Sequence, residues 1–362
     1  MYTAARGGMA MAHAGGMEPS ARMMRRIAGL WAQAPLNQRR LQRAIDNIAW
    51  CFPQWSASRV EHIAVEAYRH LFALATEITL APRLLSGDSY ALHVDVGDLK
   101  DGLEALCGDR PCILITGHCG NWELLGYALA ILGFPMHALY RPLDLKPLDT
   151  WVYKTRSRHG LTLIDKFGAA REIPGLLEAR RPVGFIADQN AGDRGLFVPF
   201  FDRLASSYKT IGLLAARYDA VVLCGHAKRQ SPVIEPTMPG QPLGMKAMRS
   251  TFHEQGLRYQ LQIVDIINPE DWADAPDPIF YITARYRRAI ETMVRKSPEQ
   301  YLWMHRYWKS RPRHERLGRP FPPALREKIS ALPWMTQPTL ARIEESSARD
   351  AQAWHSTHLK AS

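Results

Sequence analysis

The spacing of apolar and polar residues changes along the chain, and this change predicts its elements. From Met23 to about residue 86, apolar residues recur every three or four positions, which predicts helices. After Gly87, short apolar runs alternate with helical stretches. The predicted strands are 112–116, 137–141, 161–165, 183–188 and 221–227, and the predicted helices are 121–132, 148–159, 169–180 and 207–218. These repeated units predict an α/β fold, with a mostly parallel central sheet flanked by helices and preceded by an N-terminal helical segment.

The same patterns divide the chain into four predicted parts. Residues 1–22 form a flexible arm, 23–86 the N-terminal helical segment, 87–320 the core, and 321–362 a C-terminal appendage. Within the core, the alternating run 259–267 predicts an edge strand, and a long helix follows from about 278 to 294. No stretch reaches the roughly 18 uncharged apolar residues that a bilayer-spanning helix needs. The N-terminus also lacks the apolar stretch of a secretory signal.

The chain is strongly basic, with a net charge of +11. This charge favours an acidic partner, whether nucleic acid, an anionic membrane, a phosphorylated ligand or an acidic protein. From residue 285 to 319 there are 11 Lys and Arg against 3 acids, a run that suits an acidic partner or an anionic membrane, or else forms a solvated face. Nucleic-acid binding has only the charge in its favour, since no RNP-type motif occurs. The 5 cysteines show no C-x-x-C spacing, so reduced cysteines in a cytosolic compartment are expected.

The candidate chemistry lies in "ILITGHCGNWELLGYALAILG", residues 113–133. The spacing H-x4-[DE] occurs at His13, His93 and His118, and roughly 1.3 matches are expected by chance, so the spacing itself carries little. Only His118 follows a predicted buried strand and precedes a helix, which is where open α/β sheets bind ligands. Gly117 and Gly120 suit the sharp turn between these elements.

The residues after His118 fit a helix N-terminus. Asn121 is predicted to cap the helix, and Glu123 then lies in its first turn, where a carboxylate is favoured. From there Glu123 can reach the imidazole, fix its tautomer and raise its pKa, which would make His118 a base toward a hydroxyl. The alternative is a capping histidine beside a carboxylate that serves only the helix dipole. The sequence leaves both interpretations open.

Other catalytic arrangements are poorly supported. No G-x-S-x-G motif occurs, so Ser206 and Ser207 are predicted to be turn residues. Cys119 is interpreted as a small buried thiol rather than a nucleophile. The chain has no H-E-x-x-H, P-loop or G-x-G-x-x-G motif and no paired Cys/His ligand set, so we expect neither a metal nor a cofactor.

Six blocks stand in an order that resembles one family. They are "TGHCGNWELLGYALAILG", "ALYRPLD", "YKTRSRHGLTLID", "FIADQNAGDRGLFVPFF", "SSYKTIGLLAARYDAVVLCGHAKR" and "YLWMHRYWKSRP". From about residue 45 to 312, the chain resembles the bacterial lipid A biosynthesis (lauroyl/myristoyl) acyltransferases, which are lysophospholipid acyltransferase-like. The resemblance implies a glycerolipid acyltransferase-like core. It also implies that His118 is the general base and Glu123 the acid that orients it.

The resemblance implies further site residues. Arg156 matches an arginine suited to steadying a thioester carbonyl or a phosphate, while Arg141 and Asp188 fall in blocks near the active site. With Asn121, these three are our candidate substrate-binding residues. Each arginine has the alternative of a surface or structural ion pair, and Asp188 that of a turn residue. Asn190 stands where many members have a second Asp, which leaves any role of that carboxylate open.

The expected activity is that of an O-acyltransferase that needs no cofactor. It would move a fatty acyl chain from acyl carrier protein to a hydroxyl of a glycolipid such as a lipid A precursor. The expected partners are acyl carrier protein, the glycolipid acceptor and an anionic membrane surface, with no nucleic acid. Since the usual N-terminal anchor is reduced here to "MMRRIAGLWAQ", we expect peripheral attachment to the cytoplasmic face of the bacterial inner membrane. The alternatives are acylation of another polar lipid, mannosylated or amino-acid-based, and a catalytically silent lipid-binding protein.

Overall fold

A computed structural model describes residues 16–140, 142, 146–157, 160–165, 167–230 and 258–358. Its first three helices are α1 (Met17–Gln33), α2 (Gln38–Cys51) and α3 (Ala57–Leu84), with a short 3-10 turn at Pro35–Asn37. Helix α3 packs along both α1 and α2. These elements confirm the N-terminal helical segment. The division of the whole chain into four parts stays a prediction.

A seven-stranded sheet forms the centre of the protein. Its strands are β1 (Val94–Asp95), β2 (Cys112–Thr116), β3 (His137–Tyr140), β4 (Thr162–Asp165), β5 (Val183–Ile186), β8 (Val221–Arg229) and β9 (Tyr259–Ile267), and β6 (Leu196–Phe200) and β7 (Arg203–Ser207) form a separate hairpin. The order across the sheet is β1-β9-β8-β2-β5-β3-β4. All neighbouring pairs are parallel except β8 and β9, so the predicted fold class is confirmed.

Helices cover both faces of this sheet. They are α4 (Tyr90–His93), α5 (Lys100–Cys107), α6 (Trp122–Ile131), α7 (Lys146–Arg156), α8 (Ala169–Glu178), α9 (Lys209–Tyr218) and α10 (Pro278–Lys296). Alternate residues of β2 face opposite sides, as the strand period of two requires. Ile113 and Ile115 pack into the cluster that includes α8, α9 and α10, whereas Cys112 and Leu114 pack with α6. This three-layer packing explains why all five residues of β2 are buried.

The last three helices are α11 (Arg313–Arg316), α12 (Pro323–Ser330) and α13 (Gln337–His358). Helices α12 and α13 pack against the β6–β7 hairpin and the start of α10, and α11 packs on α13. Buried ion pairs tie them down: Arg311 contacts Glu315 at 2.6 Å and Asp350 at 2.5 Å, and Asp350 also contacts Arg203 at 2.6 Å. The C-terminal helices are therefore integrated with the hairpin.

Two local predictions were wrong. Strand β9 is not at the edge, because the two-residue strand β1 pairs with it on its outer side. Ser206 and Ser207 are not turn residues but fully buried positions of β7. Their hairpin escaped prediction because its strands, "LFVPF" and "RLASS", do not alternate in hydrophobicity. Among the described helices, none combines the length and apolar character needed to cross a membrane.

Candidate active site

The turn between β2 and α6 places His118 at the carboxyl edge of the sheet. Gly120 has a φ of +64°, and a Cβ there would lie 2.1 Å from the main-chain oxygen of Ala227. Only glycine therefore allows the turn to approach β8 this closely. Asn121 caps α6, as predicted, by accepting a hydrogen bond from the Leu124 N–H at 2.9 Å. The main-chain N–H of Asn121 also donates to Ala227 O at 2.8 Å, so the turn is fixed from both sides.

His118 is paired with Asp188. Strands β2 and β5 are parallel with Thr116 opposite Ile186, so the residues two positions beyond each strand end meet at the same edge. The imidazole Nδ1 lies 2.7 Å from Oδ1 of Asp188, and the main-chain N–H of His118 donates to Oδ2 at 2.9 Å. The Asp188 carboxylate is fully buried, while 15% of the His118 side chain is exposed. The imidazole is thus held from inside and open toward solvent.

The surroundings of Asp188 keep it ionised. Burial alone would raise the pKa of this carboxyl, but the neighbouring His118, through its charge and two hydrogen bonds, and Arg287 lower the pKa to about 2. Arg287, fully buried on α10, donates to the main-chain oxygen of Asp188 at 2.6 Å. An ionised carboxylate only accepts hydrogen bonds, so Nδ1 of His118 must carry the proton. The lone pair is therefore on Nε2, the nitrogen that a general base uses.

Two further side chains lie against the imidazole. The Gln189 amide nitrogen lies 3.4 Å from Nε2, and the Trp122 ring meets the imidazole edge-on with centroids 4.9 Å apart. Cys119 points the other way: it is fully buried and its Sγ lies 3.7 Å from Nδ1 of His226. Burial raises the pKa of the Cys119 thiol, and nearby Asp188 adds to this effect. Cys119 is the buried thiol that the sequence predicts.

A loop after α10 closes over the main chain of the turn. The main-chain N–H groups of Gly120 and Leu302 donate to Gln300 O at 3.0 Å and His118 O at 3.1 Å. Asn47 of α2 supports this loop by donating to Trp303 O at 2.8 Å and to His305 O at 3.1 Å. Burial lowers the pKa of His305, which also interacts electrostatically with Asp188 and His118. The helical segment thereby supports the loop that carries His305.

A buried polar cluster lies behind Asn121. Glu77 of α3 is fully buried. It contacts Arg229, the Tyr259 hydroxyl and, at 3.3 Å, the Asn121 amide nitrogen. Two helical turns earlier on α3, Nε2 of His70 lies 3.0 Å from Gly120 O. We name Glu77, Arg229, Tyr259 and His70 the rear cluster. It fixes the turn from the side opposite Asp188.

Comparison with known proteins assigns the chain to a family. A family model described as bacterial lipid A biosynthesis acyltransferase matches residues 16–310. The chain belongs to this family. It is therefore an acyltransferase. The matched region contains β2, β5, α10 and the loop at Leu302, so every element that positions His118 lies within it.

Several named proteins are similar in sequence to this acyltransferase. The lipid A biosynthesis palmitoleoyltransferase of Escherichia coli (strain K12) is 27% identical over 287 residues, covering 77% of this chain and 81% of the relative. The lauroyltransferase of the same organism is 25% identical over 280 residues, covering 76% and 81%. A lipid A biosynthesis acyltransferase of Haemophilus influenzae is 22% identical over 282 residues, covering 76% and 77%.

The structure brings some of the predicted site residues of this acyltransferase together. His118 and Asp188 form one hydrogen-bonded pair, and Asn121 is buried as the cap of α6 and a contact of Glu77. Glu123 lies in the first turn of α6, as expected, and its orienting role stays a prediction. Arg156 is the last residue of α7 and its side chain is outside the described part, as is the whole of Arg141. Their roles also stay predictions.

Sequence reasoning missed three residues that the site depends on. Arg287 looked like one charge in a basic run, yet it is buried against the Asp188 main chain. That run is not a continuous basic surface, because Arg285, Arg295 and Arg311 are engaged in ion pairs. Glu77 and His70 looked like polar positions on an amphipathic helix. The available signal was their position: both fall on the apolar side of α3, where a charged residue needs a partner.

Proposed function

We propose that this acyltransferase moves a fatty acyl chain from a thioester of acyl carrier protein to a hydroxyl of a lipid A precursor. The family and the names of the relatives support the acceptor class. The net charge of +11 supports an acidic protein as the carrier of the acyl group. The observation that carries the chemistry is the His118–Asp188 pair, with its lone pair on a partly exposed Nε2.

The proposed reaction is a direct transfer. Nε2 of His118 takes the proton of the acceptor hydroxyl as the oxygen attacks the thioester carbonyl carbon. The C–S bond of the resulting tetrahedral intermediate breaks, and the departing sulfur takes the proton from the imidazolium. The products are an ester and a free thiol. Asp188 stays ionised throughout, holds the Nδ1 proton and stabilises the imidazolium.

The charge that develops on the carbonyl oxygen needs a donor. We propose Arg156 for this role, on the basis of its match to the arginine block of the family. Arg141 is proposed as a neighbour of the substrates because it falls in a family block near the active site. The role that the resemblance gives Glu123, orienting His118, stays a prediction. No cofactor or metal enters the proposed reaction, because the thioester already supplies an activated acyl group. We place the reaction at the cytoplasmic face of the inner membrane, where a lipid acceptor and a soluble carrier protein can meet.

The experiment compares His118→Ala with the purified wild-type protein. Thiol release from acyl carrier protein is followed with a lipid A precursor as acceptor, and the product is identified by mass spectrometry. Loss of a general base is expected to lower the rate by about 10²- to 10⁴-fold. His62→Ala, at an exposed position of α3, should keep wild-type turnover. Near wild-type transfer by His118→Ala would refute the mechanism. Wild-type transfer only to a mannosylated or amino-acid lipid would refute the acceptor.

A further inference from the structure

Three arginines next to the active-site loop have no carboxylate partner among the described residues. Arg40 and Arg43 lie one turn apart on α2, and Arg306 lies in the loop after α10. We name these three residues the arginine cluster. Arg40 and Arg306 are exposed, and Arg43 is half-buried. Asp46, the acid of α2, accepts a hydrogen bond from Gln42 at 2.9 Å instead of pairing with the cluster.

Contacts between α2 and the loop bring the arginine cluster together. Arg43 donates to Met304 O at 3.1 Å, two residues before Arg306. Asn47, one turn further along the same face of α2, donates to two more main-chain oxygens of this loop. Arg40, one turn before Arg43, lies on this face as well. The face of α2 that holds the loop therefore carries two of the three arginines, and the loop itself carries the third.

The guanidinium groups of the arginine cluster repel one another. Burial, and next the charges of Arg306 and Arg40, lower the pKa of the Arg43 guanidinium. A like charge at short range disfavours the charged form of its neighbour, so the cluster opposes folding instead of supporting it. Elsewhere in the described structure, arginines such as Arg203 and Arg285 contact carboxylates. Like charges that are held together without a counter-charge indicate an anion that binds between them.

The arginine cluster adjoins the carboxyl edge of the sheet. The main-chain N–H of Leu302 donates to His118 O at 3.1 Å, so the loop that carries Arg306 begins at the turn that carries the imidazole. His305, in the same loop, interacts electrostatically with both His118 and Arg43. The cluster is therefore one loop away from the imidazole, and a single ligand can contact both.

The donors of the arginine cluster suit a phosphate group. A guanidinium presents its N–H groups in a planar fork that matches two oxygens of a phosphate, and it keeps its charge at every physiological pH. A carboxylate has only two oxygens and one charge, which three guanidinium groups exceed.

We propose that the arginine cluster binds a phosphate ester of one of the two substrates. The proposal rests on the proposed function for the identity of these substrates. They are a phosphorylated glycolipid acceptor and the acyl carrier protein, whose phosphopantetheine arm holds the thioester. In either case the bound phosphate fixes one end of a substrate while its reacting group lies at the imidazole of His118.

The first test needs no catalysis. Pyrophosphate, a soluble substitute for a phosphate ester, is titrated into the full chain by calorimetry at constant ionic strength. Arg40→Gln combined with Arg306→Gln should weaken binding by about tenfold or more, because two charge-assisted contacts are lost while Arg43 keeps its bond to the loop. The matched control is Arg171→Gln combined with Arg181→Gln, two exposed positions in and just after α8. It loses the same charge and should bind like wild type.

The second test identifies the substrate that carries the phosphate. The Arg40/Arg306 double variant should keep the kcat of wild type and raise one KM by about tenfold or more. A higher KM for the acceptor, abolished when a phosphatase has removed its phosphate, assigns the cluster to the glycolipid. A higher KM for the carrier thioester, seen also with acyl-phosphopantetheine but not with acyl-pantetheine, assigns it to the arm.

Three outcomes would overturn the proposal. They are equal pyrophosphate binding by wild type and the Arg40/Arg306 double variant, an unchanged KM for both substrates, and a KM raised for the intact carrier protein alone. The last outcome would identify acidic side chains of the carrier, not a phosphate, as the ligand. Failure of the proposed function is read separately, because the pyrophosphate titration does not depend on transfer. His118→Ala should bind pyrophosphate like wild type.

Discussion

Two fully buried carboxylates, Asp188 and Glu77, contact the turn that carries His118. They differ in their partners and in the direction in which their pKa is shifted. Asp188 contacts the imidazole and the main-chain N–H of His118, and its pKa is lowered to about 2 against the effect of burial. Glu77 contacts Arg229, Tyr259 and Asn121, and burial raises its pKa in spite of these partners. One carboxylate contacts the imidazole of His118, whereas the other contacts Asn121, the cap of the following helix.

The difference shows what burial does and does not decide. Desolvation raises the pKa of both groups, and the donors around each one decide the net direction. Asp188 receives two hydrogen bonds from a single residue and is near the buried guanidinium of Arg287, so its charge stays fixed beside the base. Glu77 is part of a cluster that joins α3, β8 and β9. We therefore assign Asp188 to the chemistry and Glu77 to the position of the turn.

The largest effect is expected from Asp188→Asn, compared with Glu123→Gln. An amide at position 188 can present its NH₂ group to Nδ1, which would place the imidazole proton on Nε2 and remove the base. The transfer rate should fall by about 10³- to 10⁴-fold, as when the orienting carboxylate of a catalytic triad is replaced. Glu123→Gln should change the rate by less than about tenfold. The measurement is thiol release from the acyl-carrier thioester under saturating acceptor.

Circular dichroism and urea unfolding serve as the control for that pair, because Asp188 is buried and Asn could disturb the fold. A large rate loss in Glu123→Gln with little loss in Asp188→Asn would reverse our assignment. It would support the prediction that Glu123 orients His118.

The fold was largely predictable because its strands are continuous apolar runs. Buried parallel strands such as 112–116 and 221–224 are almost continuous hydrophobic segments, and the helices between them show the helical period instead. The β6–β7 hairpin and the short strand β1 were not predictable in this way. Their burial comes from α10, α12 and α13 and from β9, which are distant in the sequence.

Only those parts of the site that neighbouring residues in the sequence determine were predictable. The end of β2, the glycine turn and the Asn121 cap are set by residues that are adjacent in the sequence. The partner of His118 is not: it depends on β5 being next to β2 in a given register, 70 residues away. The same holds for Glu77, which lies 44 residues from Asn121. The residues around His118 therefore offered only Glu123 as a nearby acid, and the family resemblance implied that it orients the imidazole.

A smaller effect, on stability rather than on the chemical step, is expected from Glu77→Gln. This change leaves the Arg229 guanidinium without its carboxylate partner while retaining a side chain of the same size. Removing one member of a buried ion pair should lower the free energy of unfolding by about 3 kcal/mol. The transfer rate of the folded variant should fall less than that of Asp188→Asn. Urea unfolding and thiol release measure the two effects.

Glu66→Gln is the matched control for Glu77→Gln, since Glu66 lies on the same helix and pairs with Arg25 at 2.9 Å and Arg69 at 2.5 Å nearer the surface. Its loss should cost less than about 1 kcal/mol, as is usual for solvent-accessible pairs. Equal losses for the two variants would show that the rear cluster contributes no more than a surface ion pair. The comparison between the two buried carboxylates would then fail.

The smallest effect is expected in the pH dependence of the rear cluster. Burial, and next the charge of Arg229, lower the pKa of His70 from 6.5 to about 3, so the folded protein keeps this imidazole neutral where the unfolded chain protonates it. The stability that depends on His70 is complete above pH 6.5 and is lost as the pH falls toward about 3, at a rate of up to about 1.4 kcal/mol per pH unit. His70→Gln retains a donor for Gly120 O and does not titrate, so its free energy of unfolding should fall less between pH 7 and pH 5.

Urea unfolding at the two pH values measures this difference, and His62→Gln, at an exposed position of α3, should leave the wild-type dependence unchanged. If His70→Gln and wild type lose equal stability on acidification, the imidazole is not kept neutral, and only Glu77 would then distinguish the rear cluster from the Asp188 side.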